Sequence, residues 1–195
     1  MNYQNLEQLN TKLFFTPKDT ATILNIKYFS AKVLCSRYTK QGIFVRLKKN
    51  FYILANKLNS LSKEELFQIS NILQTPSYIS LMTALSYYEI TTQVQNNFIE
   101  SISIKRSINF SIKNLFFNFS KINKKLYFDF NKKNNFFIAT KEKAFIDAIY
   151  LYSFGKYKID FDSLDLNKLD KEKITGIIKI YPQKTRSIIK KLCKI

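Results

Sequence analysis

Apolar positions recur at helical spacing through the first part of the chain, and near Gly42 they change to strand spacing. Leu6, Leu9 and Leu13 lie three and four residues apart and predict an amphipathic helix over residues 2–13. The segment Phe14-Phe15-Thr16-Pro17-Lys18-Asp19 then carries a helix start. Thr16 suits the N-cap, Pro17 the first helical position, and Asp19 the third, where a carboxylate favours the helix dipole. This second helix reaches about Asn25, with Ala21 and Leu24 inward. After the turn Asn25-Ile26-Lys27 a third helix is expected from about Tyr28 to Lys40, burying Phe29, Val33, Leu34 and Tyr38, with Gly42 as its stop.

From Ile43 to Leu54 the chain alternates, turns at Lys48-Lys49-Asn50 and alternates again, which predicts a β-hairpin. Three helices followed by a basic hairpin is the order of a winged helix-turn-helix. That domain is assigned to residues 1–58, and a larger α/β domain to residues 59–195.

Within the larger domain, residues 62–74 predict a connecting helix with Ser62 and Glu65 in capping-box spacing, ended by Thr75-Pro76. Residues 77–90 predict a strongly apolar helix. Strands are expected at Phe98–Ile104, Ser107–Ile112, Leu115–Ile122, Leu126–Phe130 and Phe136–Ala139. Lys141–Tyr152 predicts an amphipathic helix burying Ala144, Phe145, Ala148, Ile149 and Tyr152. Short helices are expected near 162–180, and a last one from about Pro182 to Lys194. The expected fold class is α+β: an N-terminal winged helix-turn-helix, then a mixed α/β domain with a β-sheet and flanking helices.

Composition sharpens this picture. At 46% hydrophobic and 15% aromatic residues, the 195-residue chain can bury a core, which excludes a disordered protein. Its 32 basic and 14 acidic residues give a formal charge of +18. A polyanionic partner explains such a charge through counterion release, and an AT-rich coding bias toward Lys, Asn, Ile and Phe explains part of it equally well. Location separates the two better than the total, because residues 1–60 hold ten basic and only two acidic side chains. The absence of histidine excludes Ser-His-Asp and Cys-His catalysis. Two isolated cysteines, Cys35 and Cys193, with no histidine are too few ligands to suggest a structural zinc site. With no signal-like N-terminus and no apolar run of ~20 residues, a cytoplasmic location, free thiols and no membrane association are expected.

The chemistry follows from these elements. On the third helix the outward polar residues are Lys27, Tyr28, Ser30, Lys32, Arg37 and Lys40, types that reach base edges and phosphates. Arg46, Lys48 and Lys49 at the wing suit phosphate or minor-groove contact. Two other readings stay open: a solvated basic face, or a winged helix that contacts protein alone. Asp160, Asp162 and Asp165 imitate a carboxylate site for Mg²⁺. However, Asp162 also suits the N-cap of a short helix, and no Gly-rich phosphate loop accompanies the trio. No enzymatic activity, metal or cofactor is therefore expected. Glu142 reads as a helix-start contact and Asp147 as a carboxylate paired inside the domain. The basic C-terminal helix, with Lys184, Arg186, Lys190 and Lys191, is open to three roles: packing on the chain's own core, binding an acidic partner, or adding a second phosphate-binding surface.

Three segments carry a family resemblance. GIFVRLKKNFYILA, from Gly42, resembles the wing pattern of AbiEi-type antitoxins from type IV toxin–antitoxin, or abortive-infection, systems. Pro76–Tyr88 is similar to that family's apolar helix, and Ile138–Asp147 to its "(apolar)-A-x-x-E-K-A-(apolar)-x-D" helix start. They occur in the family's order and span most of residues 10–155. Asn50 stands where the wing turn often has Gly, Tyr88-Glu89 replaces a common His-Gly, and the last ~40 residues match only loosely. The resemblance implies a transcriptional autorepressor whose winged helix binds double-stranded DNA repeats in its own promoter. It also implies that the C-terminal domain counteracts a nucleotidyltransferase-like toxin without a stable complex.

Overall fold

In the computed structural model, which describes residues 8–195, Thr16 starts helix α1 (Pro17–Ile23) through a capping box. The Thr16 hydroxyl accepts from the Asp19 N–H at 3.2 Å, and the Asp19 carboxylate accepts from the Thr16 N–H at 2.8 Å. Of the helix expected at residues 2–13, residues 8–10 are helical and Leu9 is buried, whereas residues 2–7 lie outside the described residues. The turn Leu24–Lys27 leads into α2 (Tyr28–Lys40), and Gly42, at φ +75, ends it.

Strands β1 (Phe44–Lys48) and β2 (Phe51–Leu54) form an antiparallel hairpin. Lys48 pairs with Phe51, which leaves Lys49-Asn50 as the loop. Asn50 takes φ +63, a left-handed conformation that Asn tolerates better than most residues. Phe15 exchanges two backbone hydrogen bonds with Tyr52, at 2.8 and 2.9 Å, and so ties the chain before α1 to the hairpin. The core of this region packs Leu9, Phe15, Leu34, Cys35, Tyr38 and Phe44 together.

α2 corrects one expectation. Its buried side is Ala31, Leu34, Cys35 and Tyr38, while Phe29 and Val33 are 78% and 68% exposed. Both sets satisfy helical spacing. Close approach to α1 decides between them: the Cys35 sulfur lies 3.6 Å from the Thr20 hydroxyl, and Ala31 and Cys35 are the small side chains that permit it.

After α3 (Ala55–Leu58), helix α4 (Lys63–Leu73) opens with the Ser62–Glu65 capping box. The chain divides into two units, Met1–Ile69 and Ser70–Ile195, and the division falls within α4.

The second unit is a mixed α/β arrangement. Strands β3 (Ser77–Ile79), β4 (Phe98–Ser103), β5 (Ile108–Ile112), β6 (Leu115–Lys121), β7 (Phe130–Lys133) and β8 (Phe136–Ala139) form one sheet in the order β5-β6-β4-β3-β8-β7. The β4–β6 and β3–β8 pairs are parallel and the others antiparallel. Helices α5 (Leu81–Tyr87), α6 (Lys141–Ser153), α7 (Lys171–Ile177) and α8 (Gln183–Cys193) complete it. α6 is buried along most of its length and packs against α5, α7 and α8.

Four further expectations are corrected here. Residues 77–90 are not one helix: Ser77–Ile79 is a strand in the middle of the sheet, and only Leu81–Tyr87 is helical. All three strand residues are buried, and an unbroken apolar run reads alike for a buried strand and a buried helix. The strand expected at Leu126–Phe130 begins only at Phe130. A 3₁₀ turn at Lys124–Leu126, capped by Asn123, precedes it, and β7 exposes Asn131, Lys132 and Lys133 at the sheet edge. Tyr152, in the last turn of α6, is exposed rather than buried and meets the Phe161 ring edge-on; its neighbours Leu151 and Ser153 are buried, so Tyr152 lies on the uncovered side of a turn that is still packed. Asp162 caps nothing. Asp160, Asp165 and Asp170 cap the 3₁₀ turns Phe161–Ser163 and Leu166–Lys168 and helix α7, respectively.

A buried polar network fastens β3 to α6. Lys143 and Asp147, one turn apart and both fully buried, form an ion pair. The Asp147 carboxylate accepts from the Tyr78 hydroxyl at 2.9 Å and the Ser80 hydroxyl at 3.0 Å, and the Lys143 ammonium donates to Tyr181 at 2.9 Å. Burial pushes the Asp147 carboxyl up and the Lys143 ammonium down, and each partner's charge opposes the other's shift. Glu142 lies in the first turn of α6, but the cap there is Thr140, and Glu142 reaches across to α7. Its carboxylate accepts from the Asp170 N–H at 3.2 Å and pairs with Lys173 at 3.3 Å, holding α7 to α6.

Candidate nucleic-acid interface

Helix α2 presents the first unit's charge. Lys27 is its exposed N-cap, and Lys32, Arg37 and Lys40 project from it exposed, with Ser30 between them. Residues 28–40 contain no acid. Tyr28, 45% exposed, lies with its ring 5.8 Å from the Lys32 ammonium, and Arg37 lies 5.4 Å from the Tyr38 ring. These contacts orient long side chains without neutralising them.

Successive residues of an α-helix are offset by about 100°, which puts Phe29 and Val33 opposite the buried side of α2. Ser36 and Lys40 share that outer face, and Lys32 and Arg37 flank it. Helical spacing by itself assigns Phe29 and Val33 to the core, and so misses the two most exposed apolar side chains of the helix. The small Ala31 and Cys35, at the right spacing for close helix packing, are the signal that points the other way. Beside this face lies an open groove of about 650 Å³, lined by Leu24, Ile26, Phe29, Ser30, Val33 and Arg37 among others.

The hairpin adds a second basic element. Arg46 is exposed on β1, with its Nε donating to the Lys48 carbonyl at 3.4 Å, and Lys49 is exposed in the loop. Lys48 is half-buried, with its ammonium 4.6 Å from the Phe51 ring. A bulge between Arg46 and Lys48 shifts the register here. α2 packs directly on β1, and the Tyr38 ring lies edge-on to Phe44 at 5.2 Å, so one core carries both basic elements.

In the second unit, α8 packs on α6 through Thr185, Ile189 and Cys193 and leaves Lys184, Lys190 and Lys191 exposed. Arg186 is only half-exposed, and its buried Nε has no hydrogen-bond partner among the described residues. The four therefore do not form one uniform cationic face. An open cleft lined by Tyr88, Lys133, Lys141, Glu142, Lys168 and Lys173 is also rich in lysine, but those charges are engaged. Lys141 donates to the Lys168 carbonyl, Lys168 to the Glu89 carbonyl, and Lys173 pairs with Asp129 and Glu142, while Lys133 sits over the Tyr87 and Tyr88 rings. Tyr88 also donates to the Ala139 carbonyl at 3.0 Å, and burial raises its hydroxyl to about 12.

Two of the three acids are occupied locally. The Asp160 and Asp165 carboxylates accept from the Asp162 and Asn167 N–H groups, and among the described residues no group of three His, Cys, Asp or Glu side chains is placed to hold a metal ion. Both thiols are free and buried, and burial pushes each of them up. Among the described residues no helix is long and apolar enough to cross a membrane. No family model, curated protein or solved structure matches the chain.

Proposed function

We propose that residues 1–58 form a winged helix-turn-helix that binds double-stranded DNA, with α2 as the recognition helix and the β1–β2 hairpin as the wing. The observation that carries the reading is the acid-free α2, whose Lys32, Arg37 and Lys40 all point to solvent beside a hairpin bearing Arg46, Lys48 and Lys49. A helix of this size fits the major groove, where its first turns meet base edges and its cations meet phosphates.

The resemblance to AbiEi-type antitoxins extends the proposal. The chain is an autorepressor that recognises repeats upstream of its own gene, and its second unit counteracts a nucleotidyltransferase-like toxin without holding it in a stable complex. Two experiments test this. The full chain should retard a duplex of its own upstream region in preference to a scrambled duplex of the same composition. Co-expression should relieve the toxicity of a nucleotidyltransferase encoded beside it. Equal retardation of both duplexes would reduce the charge to general polyanion attraction.

One observation favours a second reading. Two large apolar side chains at high exposure are also what a protein-binding module displays, so a winged helix that contacts protein alone is the alternative. Neutralising Lys32, Arg37, Arg46 and Lys48 separates the readings. It should abolish duplex binding under the first and leave partner binding intact under the second.

A further inference from the structure

α2 divides its outer face between charge and apolar surface in a way that phosphate binding alone does not explain. Phe29 and Val33, one helical turn apart, are 78% and 68% exposed. Tyr28 meets the Phe29 ring edge-on at 6.1 Å and steadies it. Ser30, Lys32 and Arg37 surround the pair, and no acidic side chain lies on the helix. Leaving two such side chains in water forgoes their burial free energy, so a surface that covers them is expected.

The charge around the pair selects what that surface is. The cover must be anionic at its rims, to meet Lys32, Arg37 and Lys40, and apolar at its centre. The major groove of a duplex has this arrangement: phosphates line both edges, and the thymine C5-methyl is the apolar group presented on its floor. We propose that Phe29 and Val33 are specificity-determining residues that read thymine methyl groups, so that the preferred site carries thymines where the first two turns of α2 enter the groove. This rests on the DNA-binding reading above and deepens it by naming the feature read.

The test replaces thymine with deoxyuridine, which keeps every hydrogen-bonding atom and deletes only the methyl. The full chain is first used to select duplexes from a random-sequence pool, and each thymine of the selected duplex is then replaced in turn. At one or more positions the wild-type chain should lose about fourfold in affinity, the equivalent of one buried methyl group. The Phe29→Ala/Val33→Ala chain should bind the thymine and uracil duplexes alike, with an unchanged salt dependence. Both positions are exposed, so its unfolding curve should match the wild type. Phe29→Leu should keep part of the discrimination. If the wild type selects a sequence yet treats thymine and uracil alike, the inference falls and the DNA-binding reading stands. If no duplex is selected at all, both fall. If the double substitution changes self-association while thymine discrimination persists unaltered, the face is a contact between copies and the inference is overturned.

Discussion

Lys143 and Asp147 sit one turn apart on α6, fully buried, and face each other as an ion pair inside the second unit. Breaking such a pair leaves a buried charge uncompensated. Asp147→Ala should therefore destabilise the chain on the order of 3–5 kcal/mol. Replacing both residues with apolar side chains of similar size should cost much less. Chemical denaturation of Asp147→Ala and of the double variant checks this, and a double variant as unstable as Asp147→Ala would contradict it.

Glu100 gives a pH dependence of defined sign. It is 3% exposed, accepts from the Tyr157 hydroxyl at 2.9 Å and the Met82 N–H at 3.2 Å, and is raised by burial from 4.5 to about 7. Below about 4.5 the carboxyl is protonated in both folded and unfolded chains. Between there and about 7 the folded chain keeps a proton that the unfolded chain has released. Stability should thus fall as pH rises through this window, by on the order of 3 kcal/mol in total. Unfolding midpoints from pH 4.5 to 8 should show the fall in the wild type and a flattened profile in Glu100→Gln.

The Thr16 capping box should be measurable by itself. Thr16→Ala removes the acceptor for the Asp19 N–H, and should cost about 1 kcal/mol of stability, read from denaturant midpoints. Thr16→Ser, which keeps the hydroxyl, should cost a fraction of that.

α8 is held by its apolar side. Ile189 is fully buried, so Ile189→Ala should cost about 2–5 kcal/mol. Neutralising the exposed Lys184, Lys190 and Lys191 together should move the melting temperature little, because exposed charges make small contributions. A large drop on changing the lysines would instead give these side chains a structural role.

Local signals are legible along the chain where one residue type does one job. The Thr16 and Ser62 caps, Gly42 as a stop and Asn50 at a left-handed turn position are all where their side-chain chemistry puts them. Elements whose pattern depends on neighbours are less legible. Ser77–Ile79 is a strand because β4 and β8 enclose it, and nothing within those three residues states that. β7 is a polar edge strand that shows no alternation. On the candidate interface the cations of α2, with Arg46 and Lys49 of the hairpin, are readable as outward, since unpaired charged side chains avoid the core. The orientation of Phe29 and Val33 is not, because α2 has two apolar stripes and only its packing on α1 shows which one is covered.

The central claim, that the basic first unit grips duplex DNA through α2 and the hairpin, is tested most directly by the salt dependence of affinity. Binding of the full chain to a labelled duplex of its own upstream region would be measured across a salt series. The same series would be run for chains in which Lys32, Arg37, Arg46 and Lys48 are neutralised one at a time. Log affinity should fall linearly with log salt, and removing one cation from a phosphate should flatten the slope by about one unit. Neutralising the exposed Lys190 on α8 should leave the slope unchanged. Slopes that ignore the four first-unit substitutions, or that respond equally to Lys190, would contradict the account.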